Sequence, residues 1–259
     1  LWWSRQIILG PVKIGFGMLR TTMLLTASRF GGSYFLDVFG RLGPNDIVLQ
    51  DIFSRDGASL AAQSDLLGLP QKEISELANR EPGELWRLLR AASEREKCHV
   101  IAKVYYYHLP RDSAVWGDLA GSRVVHMVRR NLFDAYLSRL QAERNKLWQA
   151  NDESRIREEN TAVEVDPEKA RRFIQERREQ ISWVRRRFSA ADYHEISYED
   201  VAAGPNRCKR VVKGIFGAEL QYGAVAESIK AGRVRLKRSS NADVIENYGD
   251  VAHLDRAYL

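Results

Sequence analysis

Cysteine is scarce in this chain. Cys98 and Cys208 are the two present among 259 residues, far apart and outside any metal-ligand spacing, which argues against both a disulfide framework and a zinc site and makes a reducing compartment the default. An uninterrupted apolar run is also missing. Residues 1–19 are apolar, yet Gly10, Pro11, Gly15 and Gly17 break the stretch and Arg5 and Lys13 charge it, so it is not a clean membrane span. Residues 1–22 are expected to form an apolar flap on the domain, with Trp2, Trp3 and Ile7 leaving room for a peripheral membrane contact. The expected location is cytoplasmic, with membrane association as the variant those side chains allow. The first residue is Leu1, and the native N-terminus and any targeting segment before it stay open. The phosphate loop G-x-x-x-x-G-K-[ST] is absent, which removes the main support for an ordinary ATPase or kinase.

What is present suffices for one sizeable domain. Hydrophobic residues make up 44% of the chain, enough for a single α/β domain over residues 1–259 with its own core. Forty Lys and Arg against 34 Asp and Glu leave a formal charge of +6, which suits anionic ligands and equally a merely basic surface. A nucleic-acid-binding module built on the Arg-rich stretch 166–188 is the rival from a different class. The modest excess and the Glu residues interleaved with its Arg residues argue against it.

Periodicity alternates between strand and helix. Residues 23–27 form a short apolar run that meets a glycine-containing loop, after which Tyr34, Phe35, Val38 and Phe39 recur at helical spacing. Residues 47–51, 100–105, 123–128 and 193–198 read as further strands. Pro70 and Pro82 mark helix starts, and Asp166-Pro167-Glu168 opens a long helix by N-cap and Pro-N1 chemistry. That helix carries a basic run including Arg177, Arg178, Arg185, Arg186 and Arg187, which reads as a solvated face. The charged stretch 149–165 reads as an exposed loop or lid, and the polar residues from Lys237 to Leu259 as a tail. The fold class that follows is α/β with a central, mainly parallel sheet flanked by helices, and ligands beyond the carboxyl ends of its strands.

Two segments carry chemistry. In Ser28-Arg29-Phe30-Gly31-Gly32-Ser33-Tyr34, two glycines allow close backbone approach to a ligand, and the following helix N-terminus supplies N–H donors and a positive dipole. In Val124-Val125-His126-Met127-Val128-Arg129-Arg130-Asn131, a strand delivers arginines to a helix start, and Ser138 lies eight positions after Arg130. That is about two helical turns, so a strand-end guanidinium and the Ser138 hydroxyl can meet around one phosphate.

These segments resemble the 5′-phosphosulfate loop and the 3′-phosphate motif of PAPS-dependent sulfotransferases, where PAPS is 3′-phosphoadenosine 5′-phosphosulfate. The first departs from the usual pattern at Phe30, where a small residue is normal, and at Gly32, where a hydroxyl is normal. Softer similarities to bacterial and carbohydrate-type members lie at Leu49-Gln50-Asp51-Ile52-Phe53, at Ile101-Ala102-Lys103-Val104-Tyr105 with His108, at Ile196-Ser197-Tyr198-Glu199-Asp200 and at Ile245-Glu246-Asn247-Tyr248. The resemblance implies a P-loop-kinase-like architecture and sulfuryl transfer from PAPS to a hydroxyl or amine, with 3′-phosphoadenosine 5′-phosphate as product and no metal. It implies donor binding by Arg29, Phe30, Gly31, Gly32, Ser33, Tyr34, Arg129, Arg130 and Ser138, and by a late basic loop with Lys237 and Arg238.

In-line displacement at sulfur needs a base for the acceptor proton and cations for the leaving phosphate. Arg29 is the candidate cation, and Asp51 and His108 compete as the base. His126, on an apolar strand, reads as a satisfied core residue. Trp116, Trp148 and Trp183 read as packing residues. The acceptor expected is a carbohydrate or glycolipid hydroxyl, with a small metabolite as the close alternative and no nucleic-acid partner; oligomeric state is not readable. The alternative activity is a P-loop-like nucleotide or small-molecule kinase.

Overall fold

Strand β1 (Thr21–Thr26) is buried along its whole length, and a strand can be so only if both faces are covered and both edges paired. The computed structural model, which describes residues 21–39, 46–54, 59–146, 162–216 and 240–255, places β1 at the centre of a five-stranded sheet of order β2-β3-β1-β4-β5. All four pairings are parallel. The other strands are β2 (Asp46–Leu49), β3 (His99–Tyr105), β4 (Arg123–Val128) and β5 (Tyr193–Ser197). The polar side chains that β1 buries are all bonded: Thr21 to Ser122, Thr22 to His99 Nε2, and Thr26 to the Met127 carbonyl, as burial of polar groups requires.

Alternation along the strands sends side chains to two helical layers. Leu24, Ile101, Val125 and Met127 face α1 (Gly32–Phe39), a short α8 (Tyr198–Ala202) and α9 (Pro205–Phe216). Met23, Leu25, Val100, Ala102, Val104 and Val124 face the larger layer. That layer contains α2 (Leu60–Leu67), α3 (Gln71–Arg80), α4 (Pro82–Arg95), α5 (Val115–Leu119), α6 (Leu132–Asn145) and α7 (Pro167–Arg187). The α/β class with a central parallel sheet is thus the one the sequence implies. Pro82 and Pro167 occupy first-turn positions, Pro70 precedes α3, and the Asp166 side chain accepts the backbone N–H groups of Glu168 and Lys169. Trp116 is buried and meets Trp183 edge to face at 5.2 Å.

Two expectations need correction. Arg177 does not lie on a solvated face: it is 8% exposed, turned into the protein beside Phe173. Residues 240–255, expected as a polar tail, belong to the core. Short helices α10 (Asn241–Val244) and α11 (Tyr248–Val251) bury Val244 and Val251, and Asn247 bonds both the N–H and the carbonyl of Val165. Residues 1–20, 147–161 and 217–239 lie outside the described residues, and with them most of the apolar flap, most of the charged loop, Trp148, Lys237 and Arg238. Thr21 and Thr22, assigned to the flap, begin β1, and Val163 forms a bridge with Ile245. Among the described residues no helix is long and apolar enough to cross a membrane.

His126 is satisfied in the core. Tyr193 Oη donates to Glu195, so its oxygen accepts from His126 Nδ1–H, and His126 Nε2 accepts from Tyr106 Oη; both ring contacts are 2.6 Å. Arg185 closes the chain by gripping Glu195 through two bonds. Burial holds the His126 pKa below the ordinary value, against the pull of Glu195. The unfolded chain therefore takes up more protons once the pH falls below about 6.5, the free imidazole value, and stability declines toward acid. Urea midpoints at pH 7.5 and pH 5.5 are expected to differ for the wild type and to differ less for His126→Asn. Replacement of His126 by Phe leaves the buried Tyr106 hydroxyl without its His126 partner and should destabilise by about 1–3 kcal/mol.

Candidate active site

The order β2-β3-β1-β4-β5 reverses direction at β1, so the loops leaving β1, β3 and β4 diverge and open a crevice at the carboxyl edge of the sheet. Each delivers charged or polar groups there. After β1 the chain turns through Arg29 at φ 69° and Gly31 at φ 86°. The left-handed conformation is strained for arginine and free for glycine. The turn ends in α1, where the Gly31 carbonyl accepts the Phe35 N–H. The first N–H groups of α1, beginning at Gly32, have no intrahelical acceptor, and such a helix end carries the positive pole of the dipole.

The structure brings the two sequence motifs together. Arg29 Nε donates to Ser138 Oγ at 2.9 Å, across 109 residues of chain. Arg129 donates to the Arg29 carbonyl at 3.1 Å, lies over the Tyr198 ring at 4.9 Å and reaches Asp134 at 3.5 Å. Its Nε is buried without a hydrogen-bond partner, an orphan that an anionic ligand would satisfy. Burial, and then the neighbouring Arg129 charge, hold the Arg29 guanidinium below its ordinary pKa. Two cations held this close favour a negative group beside them.

Arg130 faces elsewhere. It is half-exposed and ion-paired with Asp200, while its backbone N–H meets the Glu199 carboxylate at 3.1 Å. Phe30 also points away from the crevice: its ring is buried and meets Tyr106 edge to face at 6.4 Å. Tyr34 sits half-buried against the layer of α1, α8 and α9.

Asp51 meets Lys103, a residue of β3, and the same lysine acts electrostatically on His108. Lys103 is 0% exposed, and its Nζ donates to Ser33 Oγ at 2.8 Å and to Tyr105 Oη at 3.1 Å and lies 3.3 Å from Asp51 Oδ1. His108 Nδ1 accepts the Tyr105 N–H at 3.2 Å, which leaves the proton of the neutral ring on Nε2. Burial, with Lys103 assisting and Asp51 opposing, pushes its pKa down to about 4. The signal for Lys103 was available in outline: a lysine inside Val100-Ile101-Ala102-Lys103-Val104 interrupts an otherwise apolar strand. Tyr198 belongs to the softer similarity at residues 196–200. It forms the wall of the loop, because a Cβ on Gly31 would overlap its ring.

No protein-family model matches the sequence, and comparison with curated proteins gives no significant match. Among solved structures the chain is similar to a sulfotransferase domain from the curacin biosynthetic pathway, with a TM-score of 0.51 and 12% identity over 85% of this chain and 78% of that one. The likeness establishes the fold: a five-stranded parallel α/β sheet of the sulfotransferase type.

Gly31→Ala is expected to destabilise by more than the roughly 1–2 kcal/mol of a left-handed non-glycine residue, since the new methyl also meets Tyr198. In thermal melts Tyr198→Ala should recover part of the loss, so that the double variant is more stable than the sum of the single changes implies.

Proposed function

We propose that this protein transfers a sulfuryl group from PAPS to a hydroxyl or amine acceptor, with a carbohydrate or glycolipid hydroxyl as the favoured class. The observation that carries the reading is the Arg29–Ser138 hydrogen bond at 2.9 Å. It joins the loop after β1 to the helix after β4, the two segments whose resemblance is to the donor-binding motifs of sulfotransferases. The residues present fit such a donor. The orphan Arg129 Nε, the N-terminal end of α1 and the Arg29 guanidinium supply positive donors on one side, and Ser138 supplies a hydroxyl. Arg130 would join them on exchanging Asp200 for a phosphate.

Reaction at sulfur forms a bond from the acceptor oxygen to sulfur and breaks the bond from sulfur to the bridging oxygen. The acceptor proton passes to a base, and the electron pair leaves with 3′-phosphoadenosine 5′-phosphate. Of the two candidate bases the geometry favours Asp51, whose Oδ1 is buried without a hydrogen-bond partner and lies beside Lys103. His108 spends its Nδ1 lone pair on the Tyr105 N–H, so Nε2–H is positioned to donate to the acceptor oxygen rather than to take its proton. Lys103, held between Ser33 and Asp51, is a cation beside the loop that would offset charge growing on the leaving group as the bridging bond breaks.

Titration calorimetry with 3′-phosphoadenosine 5′-phosphate should show binding that Arg29→Ala weakens roughly 10- to 100-fold, the effect of losing a hydrogen bond to a charged group. Arg129→Ala and Arg130→Ala are each expected to weaken it. ATP and AMP should bind more weakly; equal binding of ATP would turn the assignment toward a kinase. Asp51→Asn should hold the nucleotide with wild-type affinity and lower kcat by roughly 10²- to 10⁴-fold, the usual contribution of a general base.

A further inference from the structure

Residues 240–255 fold back onto the start of α6, directly after the two arginines that leave β4. Asn241, in α10, places its side-chain nitrogen between two carboxylates, donating to Asp134 Oδ1 at 2.9 Å and to Asp255 Oδ1 at 2.6 Å, which the two N–H bonds of an amide allow. Asp255 also receives the Tyr248 hydroxyl at 3.0 Å. Asn131, whose side chain caps α6 by accepting the Asp134 N–H at 3.0 Å, reaches the Asp255 carbonyl at 3.4 Å.

Asp134 divides its two oxygens. Oδ1 takes the Asn241 amide, and Oδ2 lies 3.5 Å from Arg129 Nη2. A guanidinium and a carboxylate that can approach freely settle at about 2.7–2.9 Å and favour two parallel bonds, so this pair is held long and single. Arg129 meanwhile donates from Nη1 to the Arg29 carbonyl at 3.1 Å and lies over the Tyr198 ring at 4.9 Å, and its Nε is buried without a hydrogen-bond partner. A buried donor left open beside a carboxylate is costly, and it persists only if the carboxylate is restrained. A second bond to Arg129 would need Oδ1, which the Asn241 amide already holds.

We infer that Asn241 is a positioning residue of the donor site: by holding Asp134 Oδ1 it prevents two-point pairing of Asp134 with Arg129 and keeps Arg129 Nε available to an anionic oxygen of the ligand. Released from Asn241, the Asp134 carboxylate would turn onto Arg129 and compete with the ligand for it. As a statement about the donor this rests on the sulfuryl-transfer reading, while the restraint on Asp134 is observable with no nucleotide present.

Calorimetry with 3′-phosphoadenosine 5′-phosphate is run on the wild type, Asn241→Ala, Asp134→Asn, the double variant and Asn247→Ala. Asn241→Ala should weaken binding about tenfold, a difference of about 1.4 kcal/mol. In the Asp134→Asn background no charge remains to close on Arg129, and the same change should cost less than about twofold, a coupling that loss of packing alone does not produce. Asn247→Ala removes the bonds from the same segment to Val165; it should lower the melting temperature and leave the nucleotide affinity at the wild-type value. Crystal structures of the wild type and of Asn241→Ala, both without nucleotide, should show Asp134 within hydrogen-bond distance of Arg129 Nε in the variant alone. An equal loss in both Asp134 backgrounds, an Asn247→Ala protein that binds as poorly as Asn241→Ala, or an unmoved Asp134 in the variant would overturn the inference. If the nucleotide binds the wild type and Asn241→Ala equally, the inference fails alone; if the wild type does not bind the nucleotide and Asp134 closes on Arg129 in the variant, the sulfuryl-transfer reading fails and the restraint stands.

Discussion

An ammonium buried at the carboxyl edge of the sheet organises everything around it. Lys103 has no exposed surface, and a charge so placed must find partners on every side. Among the described residues these include Ser33 in the first turn of α1, Tyr105 at the end of β3, and Asp51 after β2. The turn after β2 is pinned to the same residue by its backbone, because the Ile52 N–H donates to the Lys103 carbonyl at 3.3 Å. The left-handed φ of 54° at Asp51 persists because both ends of that turn are fixed. One lysine therefore sets the distance between the loop after β1 and the Asp51 carboxylate.

The segment after β5 performs the same service for the other half of the crevice. Tyr198 packs on Gly31 and beneath Arg129, Glu199 receives the N–H groups of Arg130 and Asn131, and Asp200 pairs with Arg130 and Arg207. Neither loop is stiff by itself. Each is held by side chains from a neighbouring strand end, which is how a crevice at a switch point becomes a preorganised site.

The fold was legible because it is written in periodicity. Alternating strand and helix patterns, Pro82 and Pro167 at helix starts and the Asp166 cap all act locally, within a few residues. The Arg29–Ser138 contact was legible only through resemblance, since its partners are 109 residues apart. Arg177 was misread for the converse reason. Its neighbours in sequence are charged and solvated, and only the packing of α7 against the core turns that one position inward. The structured segment 240–255 escaped notice similarly: its composition is polar, and its order comes from remote bonds such as Asn241 to Asp134 at 2.9 Å. Composition reports on a residue's neighbours along the chain, and these residues are placed by neighbours in space.

The two departures of the loop from the usual sulfotransferase pattern explain each other once Lys103 is in place. A side chain at position 32 would meet Thr26 Cγ2 at 2.8 Å and Lys103 Cδ at 3.3 Å, so the space a hydroxyl residue would need is already filled, first by the Thr26 methyl and then by the lysine stem. The Lys103 ammonium, bonded to Ser33, supplies a stronger donor to the loop than the hydroxyl it displaces, because charge-assisted hydrogen bonds exceed neutral ones. With glycine at both 31 and 32 the loop loses rigidity. Phe30 restores it by burying a full aromatic ring in the core against Tyr106, on the order of 2–3 kcal/mol of apolar burial. Tyr106 is in turn held by His126, so the loop after β1 and the aromatic turn that leads to Tyr107 and His108 share one anchor. A change that loosens Phe30 should reach both ends of the crevice, while a change at Ser33 should be felt at Lys103 and Asp51.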